Sequence, residues 1–196
     1  MTGSSKAPKR ALGVRSHSGW AAYCVLAGDA GAPAIVARGR MTLCDGHKQP
    51  FHEAEPMPFA RAEEFIARCR AVADRLADEA LKALQPISRC CVLTASGKPL
   101  PDLRTILASH ALIHAAEGEF YRDVVADACT RAGIAVSRLR ERDIAAEADH
   151  LTDWRARLAA FGKEMGAPWT QDEKLAALGA WLVLAASAGR RRLGRT

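Results

Sequence analysis

Residues 11–44 read ALGVRSHSGWAAYCVLAGDAGAPAIVARGRMTLC, and the punctuation of this stretch decides the fold class. Ala11–Ser16 is a short strand candidate that ends in the turn residues His17-Ser18-Gly19. Trp20–Leu26 is a second, apolar strand. Gly28-Asp29-Ala30-Gly31-Ala32-Pro33 is the next turn, and Ala34–Cys44, with Ile35, Val36, Met41 and Leu43, is the third strand. Three strands joined by short turns predict an antiparallel meander.

Beyond the meander the pattern changes. Asp45–Pro58 holds three prolines and no periodicity, which predicts a loop. His47, His52, Glu53 and Glu55 lie in it at spacings that match no standard metal set, so they read as solvated loop residues. Phe59–Gln85 predicts a helix: Phe65, Cys69, Val72, Leu76, Ala80 and Leu84 recur every three or four residues, and Pro86 stops it. Ile87–Ala95 is an apolar fourth strand suited to burial on both faces. The Gly97-Lys98 that follows is no P-loop, because Val92 and Pro99 stand where glycine and Ser/Thr are needed. Leu103–Ala108 predicts a helical turn, and a helix capped by Ser109 runs to about Ala132 and ends at Gly133. Ile134–Leu139 is a fifth strand.

The remainder reads as helical: Asp143–Leu151, then Thr152–Phe161 with Trp154, Leu158 and Phe161 in register, broken by Gly162 and Gly166–Pro168. A last helix opens at Trp169-Thr170-Gln171-Asp172-Glu173, where Thr170 and Glu173 form a capping box, and runs to about Ala188. Helices between strands three and four, and between four and five, imply crossovers and parallel pairing of the later strands.

The bulk properties narrow the function. The 196 residues suit one domain, and 49% hydrophobic content supplies a core. With aromatics at only 6% and alanine abundant, helix packing is favoured over a β-sandwich. The net charge of +6 sits in the ends: Lys6, Lys9 and Arg10 at one, Arg190, Arg191, Arg192 and Arg195 at the other. The body between them is near neutral. Such tails hold a polyanion loosely and salt-sensitively, or simply solubilise the chain ends. The expected organisation is a disordered leader over 1–10, one domain over 11–188 and a basic disordered tail over 189–196.

Cys24, Cys44, Cys69, Cys90, Cys91 and Cys129 include no C-x-x-C pair and read as buried, reduced thiols. MTGSSKAPKR has no apolar stretch behind its charges, and the longest apolar run, Leu175–Ala188, is too short to span a bilayer. The expectation is a soluble, cytoplasmic protein with no membrane partner, as monomer or homodimer.

Within the helix after the fourth strand, Ser109–Arg122 (SHALIHAAEGEFYR) carries the most informative side-chain pattern. His110, His114, Glu117 and Tyr121 form one stripe, beside an apolar stripe of Ile113, Ala116, Phe120 and Val124. Titratable groups next to a buried face suit a cleft wall. A single ion could not be shared by the whole stripe, because His110 and Glu117 are about 10 Å apart along the axis. No metal ligand is therefore assigned.

This order of elements resembles the RNase H-like superfamily, and most of all its Holliday-junction-resolvase (RuvC-like) branch. Gly13-Val14-Arg15-Ser16-His17-Ser18-Gly19-Trp20-Ala21 is similar to that branch's glycine-rich first hairpin. Asp172…Ala176-Ala177-Leu178-Gly179-Ala180 is similar to its acidic, alanine-rich last helix. The resemblance implies an α/β fold with a five-stranded mixed sheet: strands one to three a meander, strands four and five parallel to strand one, helices on both faces. It also implies a nuclease whose carboxylates hold two divalent metals. Here the family's first-strand Asp is replaced by Arg15 and Ser16, and the acid near the end of the fourth strand by Thr94, Ala95 and Ser96. Only Asp172, with Glu173 beside it, is matched. Arg15 would repel a cation, so the standard nuclease activity is expected to be absent.

In that fold Arg15, His17, Thr94, Ser96 and Lys98 gather at the ends of neighbouring strands, a set suited to phosphate or carboxylate. His110, His114, Glu117 and Tyr121 would extend the same cleft, and Arg15 could instead pair with Asp172. Three readings follow. The first is a non-catalytic RNase H-like domain that binds nucleic acid, through Arg15 and the arginine tail, or acts as a scaffold, with no cofactor. The second is a phosphodiester hydrolase with a relocated site at His114, Glu117 and Asp172, needing Mg²⁺ or Mn²⁺. The third is a protein-interaction module.

Overall fold

The computed structural model describes residues 9–95 and 99–189. The meander is present: β1 (Arg10–His17) pairs antiparallel with β2 (Trp20–Asp29), and β2 with β3 (Ala32–Thr42). Both strands of the second hairpin run further than the sequence suggests, leaving only Ala30-Gly31 as the turn. The first strand likewise starts at Arg10, inside the stretch read as a leader. β4 (Arg89–Thr94) lies parallel to β1, and β5 (Ala135–Arg140) parallel to β4, in the sheet order β3-β2-β1-β4-β5.

Alternation along β1 divides the molecule into two layers. Leu12 and Val14 face one core, with α1 (Pro50–Ala54), α2 (Phe59–Leu84), α3 (Leu103–Leu107) and α4 (His110–Arg131). Ala11 faces the other, with α5 (Ile144–Glu147), α6 (Trp154–Met165) and α7 (Gln171–Gly189). Cys90 and Cys91 alternate in the same way, so β4 is buried on both faces. Cys90 nonetheless has a neighbour across the layer, the Cys129 thiol of α4. Among the described residues all six cysteines are free; Cys44 and Cys69 are only partly buried.

Four local readings are corrected. Residues 45–58 are not all loop: α1 forms there, with Pro50 in its first turn, the place where proline's fixed φ and missing N–H cost nothing. The buried face of α2 is Ala62, Ile66, Ala73, Ala77 and Leu81, with Phe65. The stripe through Val72 and Leu76 is its flank, because alanines let the helix approach more closely. Asp143–Leu151 is not one helix but a 3-10 turn (Glu141–Asp143) followed by the single turn of α5. Gly162 does not break α6; it makes room for Trp169, whose indole would lie 2.4 Å from a Cβ there.

The last helix seats itself on the sheet through small residues. A Cβ on Gly13 would lie 1.8 Å from the Ala176 carbonyl oxygen, and one on Gly179 3.0 Å from Cys91 Sγ. The Thr170–Glu173 capping box is formed: Thr170 N donates to Glu173 Oε2 (2.7 Å), and Glu173 N to Thr170 Oγ1 (3.3 Å). Trp181 pins the other end, donating from Nε1 to the Ala30 carbonyl (2.8 Å). No helix among the described residues is long and apolar enough to cross a membrane.

Candidate functional site

In a sheet with parallel strands, ligands are taken at the carboxyl ends. Here that edge carries Arg15 and His17 of β1, Thr94 of β4, and Glu141, which follows β5 directly. Asp172, in the first turn of α7, reaches the same place. Arg15 lies between two acids. It meets Glu141 through two parallel bonds, Nε to Oε2 (2.9 Å) and Nη2 to Oε1 (2.8 Å), and its Nη1 donates to Asp172 Oδ1. The same Asp172 oxygen lies 3.1 Å from His17 Nε2.

The electrostatics are self-contained. The bond to Glu141 raises Arg15 above its ordinary range, against the cost of burial and with help from Asp172. Burial pushes Asp172 upward, but the bonds from Arg15 and His17 outweigh it and hold its carboxyl below the usual range. A pair of divalent cations does not fit between Asp172 and Glu141, because the Arg15 guanidinium occupies the gap and bonds both carboxylates. The pairing of Arg15 with Asp172 that the sequence allowed is formed.

Beside this cluster lies a stack that sequence reasoning missed. The His17 and Trp20 rings are stacked at 4.3 Å, and the Arg40 guanidinium lies over Trp20 at 4.2 Å. The three come from neighbouring strands, and Arg40, at the outer end, is exposed. The signal was available: once the meander register is known, Arg38 and Arg40 share a face two residues apart. Arg38 is spent structurally, on Glu173 (2.8 Å) and on the carbonyls of Met165, Gly166 and Pro168.

The α4 stripe does not join this cluster. Arg15 and Asp172 are on the α7 side of the sheet, whereas α4 packs on the side of Leu12 and Val14. The single cleft holding Arg15, His114 and Glu117 is therefore corrected, and so is a site built from His114, Glu117 and Asp172 together. The physical reason is the two-residue alternation of β1, which sends Ala11, Arg15 and His17 to the α7 layer and Leu12 and Val14 to the α4 layer.

What the α4 stripe meets instead is α1. Glu117 is 5% exposed, and its Oε1 accepts from the backbone N–H groups of Phe51 (2.7 Å) and His52 (3.0 Å). It supplies the N-terminal cap that Gln49 does not give α1. Burial pushes its carboxyl upward, and the bonds from His52 and Phe51 offset part of this. Tyr121 is buried rather than presented to a ligand; its hydroxyl donates to the carbonyls of His47 and Lys48 (both 3.1 Å). His52, placed by sequence among solvated loop residues, is half-buried against Glu117, with His110 and His114 beside it.

Thr94 is buried in a cleft lined by Pro99, Glu119, Asp123 and Arg138, on the α4 side. It is thus separated from Arg15, its expected companion. Ser96, Lys98, Arg190, Arg191, Arg192 and Arg195, all candidate binding residues, lie outside the described residues.

The comparisons with known proteins agree with this architecture. A Thermus thermophilus RuvC in complex with Holliday junction substrate superposes with a TM-score of 0.56 at 12% identity, over 92% of this chain and 96% of that one. A second Thermus thermophilus RuvC structure gives 0.51 at 13% identity, again over 92% and 96%. The fold is therefore RNase H-like, of the RuvC-like kind. No family model and no curated protein matches the sequence.

Proposed function

We propose that this chain is a nucleic-acid-binding domain of RuvC-like fold that does not cleave its ligand. The observation that carries the reading is Arg15 held between Asp172 and Glu141. A guanidinium at that point supplies from within the protein the positive charge that a resolvase-type site takes from metal ions, so the acids are spent. The adjoining His17–Trp20–Arg40 stack supports the binding half. The stack ends in the exposed Arg40 guanidinium, whose plane offers a base a stacking surface and whose charge offers a phosphate a partner. One neighbour in fold is a complex with Holliday junction substrate, which makes branched DNA the first ligand to test.

The experiment is binding of labelled four-way junction, duplex and single-stranded DNA and RNA to the full chain over a salt series. The expected result is binding that weakens with salt. Exchanging Trp20 and Arg40 for Ala weakens it by about 5- to 150-fold, the equivalent of a loss of about 1–3 kcal/mol of stacking. Replacing Arg190, Arg191, Arg192 and Arg195 by Ser flattens the salt slope. Absence of salt-dependent binding overturns the binding half. Mg²⁺- or Mn²⁺-dependent cleavage that Asp172→Asn abolishes overturns the non-cleaving half.

A further inference from the structure

Three imidazoles converge where α1 meets the start of α4. His110 and His114 are one turn apart on α4, and their Nε2 atoms lie 3.1 Å from each other. His52 of α1 faces both, with ring centroids 5.5 Å from His110 and 4.6 Å from His114. One ring nitrogen from each of the three lies within 4.8 Å of the other two. The rings meet edge to face, at 65° to 87°, instead of stacking. Zinc–nitrogen bonds of about 2.0–2.1 Å set the nitrogens of a tetrahedral centre about 3.3 Å apart, close to the spacing of the α4 pair.

The surroundings fit the same use. Glu117 Oε1 lies 3.3 Å from His52 Nδ1 and is itself fixed by two backbone N–H groups. A carboxylate on one ring nitrogen holds the proton there and leaves the other nitrogen's lone pair free, the usual support behind a metal-bound histidine. The second oxygen of Glu117 is buried with no hydrogen-bond partner among the described residues, a negative group that a nearby cation would offset. His110 and His114 are exposed, so the site opens to solvent.

We propose that His52, His110 and His114 form a site for one divalent transition-metal ion of the zinc class, with Glu117 orienting His52 and one coordination position left to water or a ligand. Imidazole suits zinc, nickel, copper and iron, whereas Mg²⁺ takes oxygen ligands, so the site is distinct in chemistry from a carboxylate-held Mg²⁺ pair. Sequence spacing did not reveal it because the third ligand comes from a helix 58 residues earlier than His110. The proposal stands independently of the nucleic-acid reading.

The test is zinc titration of chelator-stripped full-length protein, followed by calorimetry and metal analysis. The expected result is one zinc per chain, undiminished by excess Mg²⁺. His110→Ala and His114→Ala, both at exposed positions that the fold does not depend on, each weaken binding at least tenfold. Glu117→Gln weakens it about tenfold or more through loss of orientation. Cobalt bound in place of zinc gives a spectrum without thiolate charge transfer, which separates this site from the cysteines. Failure of the wild type to bind zinc overturns the proposal. So does zinc binding that persists undiminished in the His110→Ala/His114→Ala double variant, or a thiolate spectrum.

Discussion

Gly13 of β1 and the carbonyl of Ala176 of α7 are in backbone contact: a Cβ at position 13 would sit 1.8 Å from that oxygen. The neighbouring atom is backbone, so no side chain can swing aside. Gly13→Ala must therefore push α7 off the sheet or distort β1. We expect a loss of about 1–3 kcal/mol or more, read by urea denaturation. Gly31→Ala, in a turn with nothing within 4 Å, is the control and leaves stability nearly unchanged.

The same contact explains why so much of the fold was legible. The meander, the fourth and fifth strands and the final helix carry their own punctuation in glycine, proline and apolar period. The Ala176-Ala177-Leu178-Gly179-Ala180 run belongs to a helix that lies flat against strands. Features that depend on a partner distant in sequence were not legible. Nothing in the neighbourhood of Glu141 marks it as the partner of Arg15, 126 residues earlier. α1 has five residues, too few to show a period, and its cap comes from Glu117 on another helix. The cleft expected to unite Arg15 with His114 failed on strand parity alone.

Arg15 ties acid stability to one pair. Asp172 is held below its ordinary range when folded, so its contribution is fully present above the unfolded value of about 3.9 and is lost as the pH falls through the lower folded value. Arg15→Met removes the main partner and leaves Asp172 and Glu141 facing each other. The expected outcome at pH 7 is a loss of about 1.5–3 kcal/mol, the range for bonds between charged groups. The Asp172 titration, followed by NMR, moves upward, and stability depends less on pH in the acid range.

Arg15→Asp reverses the charge at the centre of the cluster. Three carboxylates then face one another with no internal cation, so the variant is less stable than the wild type without metal. Mg²⁺ is expected to raise the melting temperature of this variant and leave that of the wild type unchanged, as binding to the folded state alone requires. Equal response of both proteins, read by thermal denaturation over a Mg²⁺ series, would show that Arg15 does not exclude the ion.

Glu117 and Tyr121 hold the segment before and within α1. Glu117→Ala leaves the N–H groups of Phe51 and His52 without their acceptor, at about 1–3 kcal/mol for each buried group. Glu117→Gln keeps an acceptor oxygen and costs much less. Tyr121→Phe loses only the bonds to the His47 and Lys48 carbonyls, about 0.5–1.5 kcal/mol. The order Glu117→Ala, then Tyr121→Phe, then Glu117→Gln, measured by denaturation, checks that the carboxylate acts here as a cap. Hydrogen exchange at Phe51 and His52 should rise in the first variant alone.

Arg38 decides how α6 is joined to α7. Its guanidinium bonds Glu173 and the carbonyls of Met165, Gly166 and Pro168, and lies over the Trp169 ring at 5.8 Å. The carbonyls belong to the end of α6 and the connection beyond it, where helix carbonyls lack intrahelical donors. Arg38→Ala removes the donor to all three at once and also frees Glu173, half of the capping box. Thr170→Ala removes the other half of the box alone, at about 1 kcal/mol. Arg38→Ala is therefore expected to cost more than Thr170→Ala, and Arg38→Lys to recover only part of the loss. An ammonium cannot present the planar fork that reaches Glu173 and the carbonyls together. The measurement is chemical denaturation of the three variants. Arg38→Ala no more costly than Thr170→Ala would show that the connection holds without the guanidinium.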